Sequence, residues 1–306
     1  MKDILKYLKD YKKETVLGPL FKLLEASFEL IVPLVMAQII DVGIKNQDVY
    51  YVIKMIGIMV LLGLVGLVCS ITAQYFAAKA AVGFGTSLRH NLFKHIQSLS
   101  YTEIDDIGTS TLITRMTSDI NQVQTGVNLF LRLFLRSPFV VFGAMIMAFY
   151  VNVKGALVFV ITIPLLALVV FGIMLISIPL YNKVQNGLDK VLVSISENLS
   201  GARVIRAFHK ENQEKKEFEK KNSALVNAQL FVGKISALLN PITYVMINVA
   251  IIAVIWVGGG EVDSGIISQG EVVALINYMS QILVEMIKLA NLIIAINKAM
   301  ACGNRI

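Results

Sequence analysis

Six stretches of this chain are each apolar for about the length of a bilayer crossing: residues 17–44, 52–82, 127–151, 155–181, 235–258 and 272–296. A crossing takes roughly 20 residues, because a helix rises ~1.5 Å per residue and the hydrocarbon core is ~30 Å thick. Continuous apolar runs of this length are helical runs. Composition agrees, since 56% of the 306 residues are hydrophobic and only 16% are charged, against ~25% charged in soluble domains. The expected fold is an all-α membrane protein with six transmembrane helices.

Charge sets the expected orientation. Residues 1–14 mix Ile4, Leu5, Tyr7 and Leu8 with Lys2, Lys6, Lys9, Lys12 and Lys13, the pattern of an amphipathic helix lying in the interface rather than of a cleavable signal peptide. A basic arm for nucleic acid would leave those apolar side chains unused. Residues 183–234 carry ten Lys or Arg, whereas the loops 45–51 and 258–270 carry one and none. By the positive-inside rule both termini and the two long loops are cytoplasmic. The net charge of +7 therefore reports topology and contact with anionic lipid, and no nucleic-acid partner is expected.

The residues of ordinary enzyme chemistry are sparse. Cys69 lies in the second stretch and Cys302 beyond the sixth, so no disulfide is expected, and no His/Cys grouping has metal-ligand spacing. His90, His95 and His209 all fall in cytoplasmic segments without a nucleophile–base arrangement. No catalytic, metal-binding or cofactor-binding residue is assigned to this chain.

The helices are too long for the membrane. No proline occurs between Pro33 and Pro138 or between Pro179 and Pro241. A helix from Val52 to Leu99 would measure about 70 Å at ~1.5 Å per residue, so much of it must stand in the cytosol. After the fourth stretch Val184, Leu188, Val191, Leu192, Ile195 and Leu199 recur at helical spacing, a solvated helix with one apolar stripe that needs neighbours. The result is a cytoplasmic stalk of helical extensions, in two hairpin-like loops. One loop turns near Gly108, with Ser110 or Thr111 placed to cap the returning helix; the other turns at Ser200-Gly201, before residues 202–208. Small, exposed, partly apolar tips on stiff helices are suited to docking.

At this point the residues resemble the transmembrane domain of an ATP-binding-cassette (ABC) exporter. The first loop carries Gly108, Leu112, Arg115, Met116 and Asp119 in the family's spacing. In the second, Glu197, Leu199, Gly201, Arg203, Ile205, Ala207 and Phe208 fit. The approach to the sixth helix matches from Gly259-Gly260 through Val262, Gly265, Ile267, Ser268 and Gly270. Finer features, among them Arg136-Ser-Pro138 and Trp256-Val-Gly-Gly259, are similar to bacterial multidrug exporters that often pair unlike subunits. The resemblance covers nearly the whole chain: residues 15–300 as the six-helix domain, and 301–306 as the start of a linker to a nucleotide-binding domain. The family's phosphate-cradling Gly-x-x-x-x-Gly-Lys-(Ser/Thr) motif is not in these 306 residues. ATP and Mg²⁺ are therefore expected on a nucleotide-binding domain outside them, on a longer version of the same chain or on a separate one.

The resemblance also implies a domain-swapped dimer with a second half-transporter, identical or not, in the bacterial plasma membrane. Its cargo would be a small amphipathic compound moved outward by alternating access. Coupling to the nucleotide-binding domain would fall on Tyr101, Glu103, Ile104, Asp105, Gly108 and Arg115 in the first loop. In the second it would fall on Gly201, Arg203, Val204, Arg206 and Phe208.

Polar residues inside the apolar stretches are costly in lipid and usually face protein or water. Asn277, Gln281, Glu285 and Lys288 share one side of the sixth helix, and Asn240, Tyr244 and Asn248 one side of the fifth. Glu25 and Glu29, with Lys22, line the first helix, and Arg132 and Arg136 the third. They are candidates for a polar cavity wall, and for the charged members structural ion pairing is the competing reading. Two other functions stay open on the residues alone. One is a motor-less, proton-driven transporter using Glu25, Glu29 and Glu285; the other is a channel or sensory membrane protein.

Overall fold

The carboxylate of Asp48 accepts a hydrogen bond from the backbone N–H of Tyr51 (3.0 Å) and so caps the longest α-helix, α2 (Val49–Gln97). The computed structural model describes Ile4 and residues 6–306. A 3₁₀ turn over Lys6–Tyr11 leads into α1 (Lys12–Gln38), which continues as a π-helical turn over Ile39–Ile44. After α2 come two short helices, α3 (Tyr101–Ile107) and α4 (Thr109–Thr114). A second π-helical turn (Arg115–Asp119) joins α4 to α5 (Ile120–Leu133), and α6 (Arg136–Val151) follows. The remaining helices are α7 (Val153–Ser200), α8 (Ala202–Ala207), α9 (Glu211–Ala237), α10 (Leu239–Asp263) and α11 (Gln269–Arg305).

Six continuous helical runs are long and apolar enough to cross a membrane: Lys6–Ile44, Val49–Gln97, Thr109–Val151, Val153–Ser200, Glu211–Asp263 and Gln269–Arg305. Each contains one of the six apolar stretches, and no strand occurs among the described residues. At ~1.5 Å per residue the 49 residues of α2 reach more than twice the ~30 Å hydrocarbon thickness.

Two local expectations change. The helix returning from the first tip is capped by Gly108 itself, not by Ser110 or Thr111. Gly108 takes φ +82°, a conformation that glycine adopts at no steric cost. Its carbonyl accepts from the N–H groups of Thr111 and Leu112, so one residue ends α3 and starts α4. The third crossing is also not one smooth helix, since regular bonding lapses at Phe134 and Leu135. Pro138 has no N–H to donate, and its ring crowds the carbonyl four residues earlier, that of Phe134. Both residues keep right-handed helical dihedrals, so the chain carries on in the same helical sense through the break.

The chain divides into two compact units, residues 1–163 with 249–306, and residues 164–248. In the first, small residues let backbones approach, as is usual between membrane helices. Ala73, Ala77, Ala80 and Ala81 of α2 are buried, and a β-carbon on Gly18 would come 3.4 Å from the backbone nitrogen of Ala77. Phe84 and Leu88 continue that face into a cluster with Ile120, Val123, Val127 and Leu131 of α5 and Cys302 of α11. Ile4, Tyr7, Leu8 and Tyr11 pack on its edge. The segment before the first crossing thus sets its apolar side chains against protein, while Lys6, Lys9, Lys12 and Lys13 stay exposed.

In the second unit α7 and α9 pair around Gly187, Val191, Leu225 and Val232. The Tyr181 hydroxyl lies 3.1 Å from that of Ser236, and Lys221 donates to Ser194. Only part of the predicted apolar stripe is covered there. Leu192, Ile195 and Leu199 are exposed, as are Val226, Leu230 and Phe231 of α9.

Candidate coupling surfaces and intramembrane polar site

The first tip is a prebuilt helix of seven residues. Ser100 caps α3 by accepting from the Glu103 N–H, while the Glu103 carboxylate accepts from the Ser100 N–H and hydroxyl, both at 2.8 Å. This reciprocal capping box holds the Glu103 carboxyl below the ordinary carboxylate range, chiefly through the Ser100 N–H. With its end bonds satisfied, α3 presents Tyr101, which is 90% exposed, beside exposed Glu103 and Asp105, with Ile104 half-buried. Arg115 sits in the π-helical turn that follows, its Nε buried without a hydrogen bond.

The second tip, in the other unit, is α8. The Gly201 N–H donates to the Glu197 carbonyl at 2.8 Å. A β-carbon on Gly201 would come 2.9 Å from that oxygen, so glycine suits this bend. Arg203, Val204 and Arg206 are exposed on α8, and Phe208, just past its end, is 71% exposed. Each tip therefore combines exposed apolar and charged side chains on a short helix at the end of long ones.

Within the first unit the structure gathers several of the predicted intramembrane charges. Arg136 donates through Nη1 to Glu285 (2.5 Å) and through Nη2 to Glu29 (2.6 Å). Glu285, 2% exposed, also accepts from the Ser137 hydroxyl (2.9 Å) and from Lys288 (2.9 Å). Glu25 pairs with Lys22 at 2.6 Å, and Lys22 also reaches Ser70. A buried ion survives in such surroundings only when paired and hydrogen-bonded, and this network ties α1, α6 and α11 together. Gln281, one turn before Glu285, keeps a buried side-chain oxygen without a hydrogen bond, whereas Asn277 is exposed and donates to its own helix. Arg132 is half-buried on the other side of the break and joins no ion pair among the described residues. In the second unit Asn240, Tyr244 and Asn248 are exposed on one face of α10, Asn248 bonding back to the Tyr244 carbonyl.

A model of the ABC transporter transmembrane region matches residues 15–286. This chain belongs to that family. An uncharacterized ABC transporter ATP-binding protein of Mycobacterium tuberculosis is 31% identical over 302 residues, 98% of this chain and 52% of its own length. The uncharacterized ABC transporter ATP-binding protein YfiB of Bacillus subtilis is 31% identical over 306 residues, 100% of this chain and 53% of its own. A putative export ATP-binding/permease protein of Rickettsia felis is 26% identical over 277 residues, 90% and 48% of the two chains. The chain thus spans about half the length of these relatives.

Three further contacts in this ABC transmembrane domain escaped sequence reasoning. Asp41, in the π-helical turn after α1, accepts from the Ser268 hydroxyl and the Gly270 N–H at the start of α11. Glu261 accepts from Lys154 and Asn152. Arg305 pairs with Asp119, a residue singled out only as part of a motif. Residues so far apart in sequence share no periodic signal. Ser100 with Glu103 and Ser268 with Glu271 also form capping boxes that were not expected from the sequence.

Proposed function

We infer that this domain is the permease part of an ATP-driven exporter, moving small amphipathic compounds out of the cytoplasm by alternating access. The observation that carries this reading is the pair of tips. Two short helices with exposed side chains, around Tyr101 and Phe208, end helical runs that extend well past the apolar stretches. Such tips serve docking to a nucleotide-binding domain, which would hold ATP and Mg²⁺ outside the residues described here. The name of the Rickettsia felis relative, a putative export ATP-binding/permease protein, supports the assignment.

The exposed apolar side chains of α7 and α9, among them Leu192, Leu199 and Phe231, favour pairing with a second half-transporter in a domain-swapped dimer. The lysine-rich 183–234 segment and amino-terminal arm favour a cytoplasmic location for both termini, in the bacterial plasma membrane. A proton-driven mechanism would use intramembrane carboxylates that have no fixed partner. Glu25, Glu29 and Glu285 are each engaged by a cation instead, which speaks for the ATP-driven reading. Uptake of an amphipathic dye into inverted vesicles holding the native gene product tests it. Uptake should need MgATP and vanish in a hydrolysis-dead nucleotide-binding domain. Uptake driven by a proton gradient without ATP would overturn the proposal.

A further inference from the structure

The amino-terminal segment, α5 and α11 enclose a pocket of about 260 Å³ within the first unit. Leu8 and Thr15 form one side, Gly126, Phe130 and Leu131 the second, Ile296 and Met300 the third. The Thr15 hydroxyl donates to the Tyr11 carbonyl at 2.8 Å, so the only polar side chain among the described lining residues is already satisfied. A cavity without free polar partners does not hold ordered water and takes apolar guests. Its floor is where α5 meets α11, since a β-carbon on Gly126 would overlap that of Ala299. Phe130 and Met300 are partly exposed at its rim, and the Phe130 ring stacks on Phe134 with centroids 4.5 Å apart.

We propose that this pocket holds one acyl chain of an anionic membrane lipid, whose headgroup is held by the exposed lysines of the amino-terminal segment. Two observations choose this occupant. The first is position. Thr15 lies two residues before the first apolar stretch, Gly126 one residue before the third, and Ile296 at the end of the sixth. All three walls are therefore at the same polar–apolar boundary, where acyl chains meet their headgroups. The pocket is at the small end of the ~300–1,000 Å³ typical of ligand sites, room for part of one acyl chain.

The second is charge. Leu8 reaches the pocket from between Lys6 and Lys9, with Lys12 and Lys13 one turn on, and all four lysines are exposed. The apolar neighbours Tyr7 and Tyr11 are already packed on the protein core. Among the described residues of this segment the acidic ones are Asp10 and Glu14, and Glu14 is paired with Lys79 at 2.9 Å. Juxtamembrane lysines of this density attract anionic headgroups. This inference needs only the membrane setting and is independent of what the exporter carries.

Photolabelling of the full chain in phosphatidylcholine vesicles tests it, with trace phosphatidylglycerol bearing a diazirine near the end of one acyl chain. Label is expected in peptides covering 126–131 and 296–300, and a matched phosphatidylcholine probe should label them more weakly. Filling the pocket by Met300→Trp should abolish that label. The surface triple change Lys9→Gln, Lys12→Gln and Lys13→Gln leaves the packing untouched. It should lower phosphatidylglycerol labelling by up to roughly a hundredfold, to the phosphatidylcholine level. Equal labelling by the two probes, or label that bypasses both peptides, would overturn the proposal. Disulfide capture of a Met300→Cys variant by a second copy would also overturn it, because a partner helix would then be the occupant.

Discussion

Arg305 holds Asp119 through two nitrogens, with Nη2 2.6 Å from Oδ1 and Nε 3.1 Å from Oδ2. The pair joins the last turn of α11 to the turn that opens α5. Asp119 is 3% exposed, whereas the Arg305 side chain is 59% exposed. Breaking a fully buried pair costs about 3–5 kcal/mol and an exposed one about 0–1. Arg305→Ala should therefore destabilise the domain by about 1–3 kcal/mol, between those limits. Asp119→Asn with Arg305→Gln should recover part of the loss. Denaturant unfolding in detergent measures both, and an unchanged Arg305→Ala midpoint would remove any role for the pair in stability.

The capping box at the first tip makes a pH prediction. The folded Glu103 carboxyl lies below its ordinary value. Its contribution is present above that ordinary value, ~4.3, and is lost as pH falls through the folded one. Amide exchange in Tyr101–Ile107, corrected for intrinsic rates, should speed up over that acidic window. In Glu103→Gln the same amides should be insensitive to this titration.

Replacing exposed Arg203 or Phe208 by alanine should leave the melting temperature within about 2 °C, since surface changes usually stay within ±0.5 kcal/mol. In the native gene product the same changes should lower transport per ATP hydrolysed. Wild-type stoichiometry in both variants would place coupling elsewhere.

Arg136→Met leaves Glu285 with Lys288 and Ser137 but strips Glu29 of its ion pair. Removing one member of a buried pair typically costs ~3–5 kcal/mol, and a loss of that order is expected in thermal unfolding. The double change Arg136→Met with Glu285→Met should be milder than the sum, because the two charges disappear together. Strict additivity would mean the two residues do not interact energetically.

How much of this was legible follows from the range of each signal. Apolar runs of bilayer length gave all six crossings, whereas the short helix α3 and its capping box of Ser100 with Glu103 went unpredicted within the first loop. The break before Pro138 and the Gly108 cap depend on backbone geometry at one residue, where hydroxyl-rich Ser110 and Thr111 were the more conspicuous local signal. The grouping of Glu29, Arg136 and Glu285 required the register of three helices, which no single helical face reveals. Charged faces on α1, α6 and α11 were each visible; that they meet was not.

One consequence concerns α11. At its start Ser268 and Gly270 are fastened to Asp41, midway Glu285 is fastened to Arg136, and at its end Arg305 is fastened to Asp119. The helix is a rod of about 55 Å at ~1.5 Å per residue. Anchored at three points to three different supports, the helix is braced against sliding along its axis and against rolling about it.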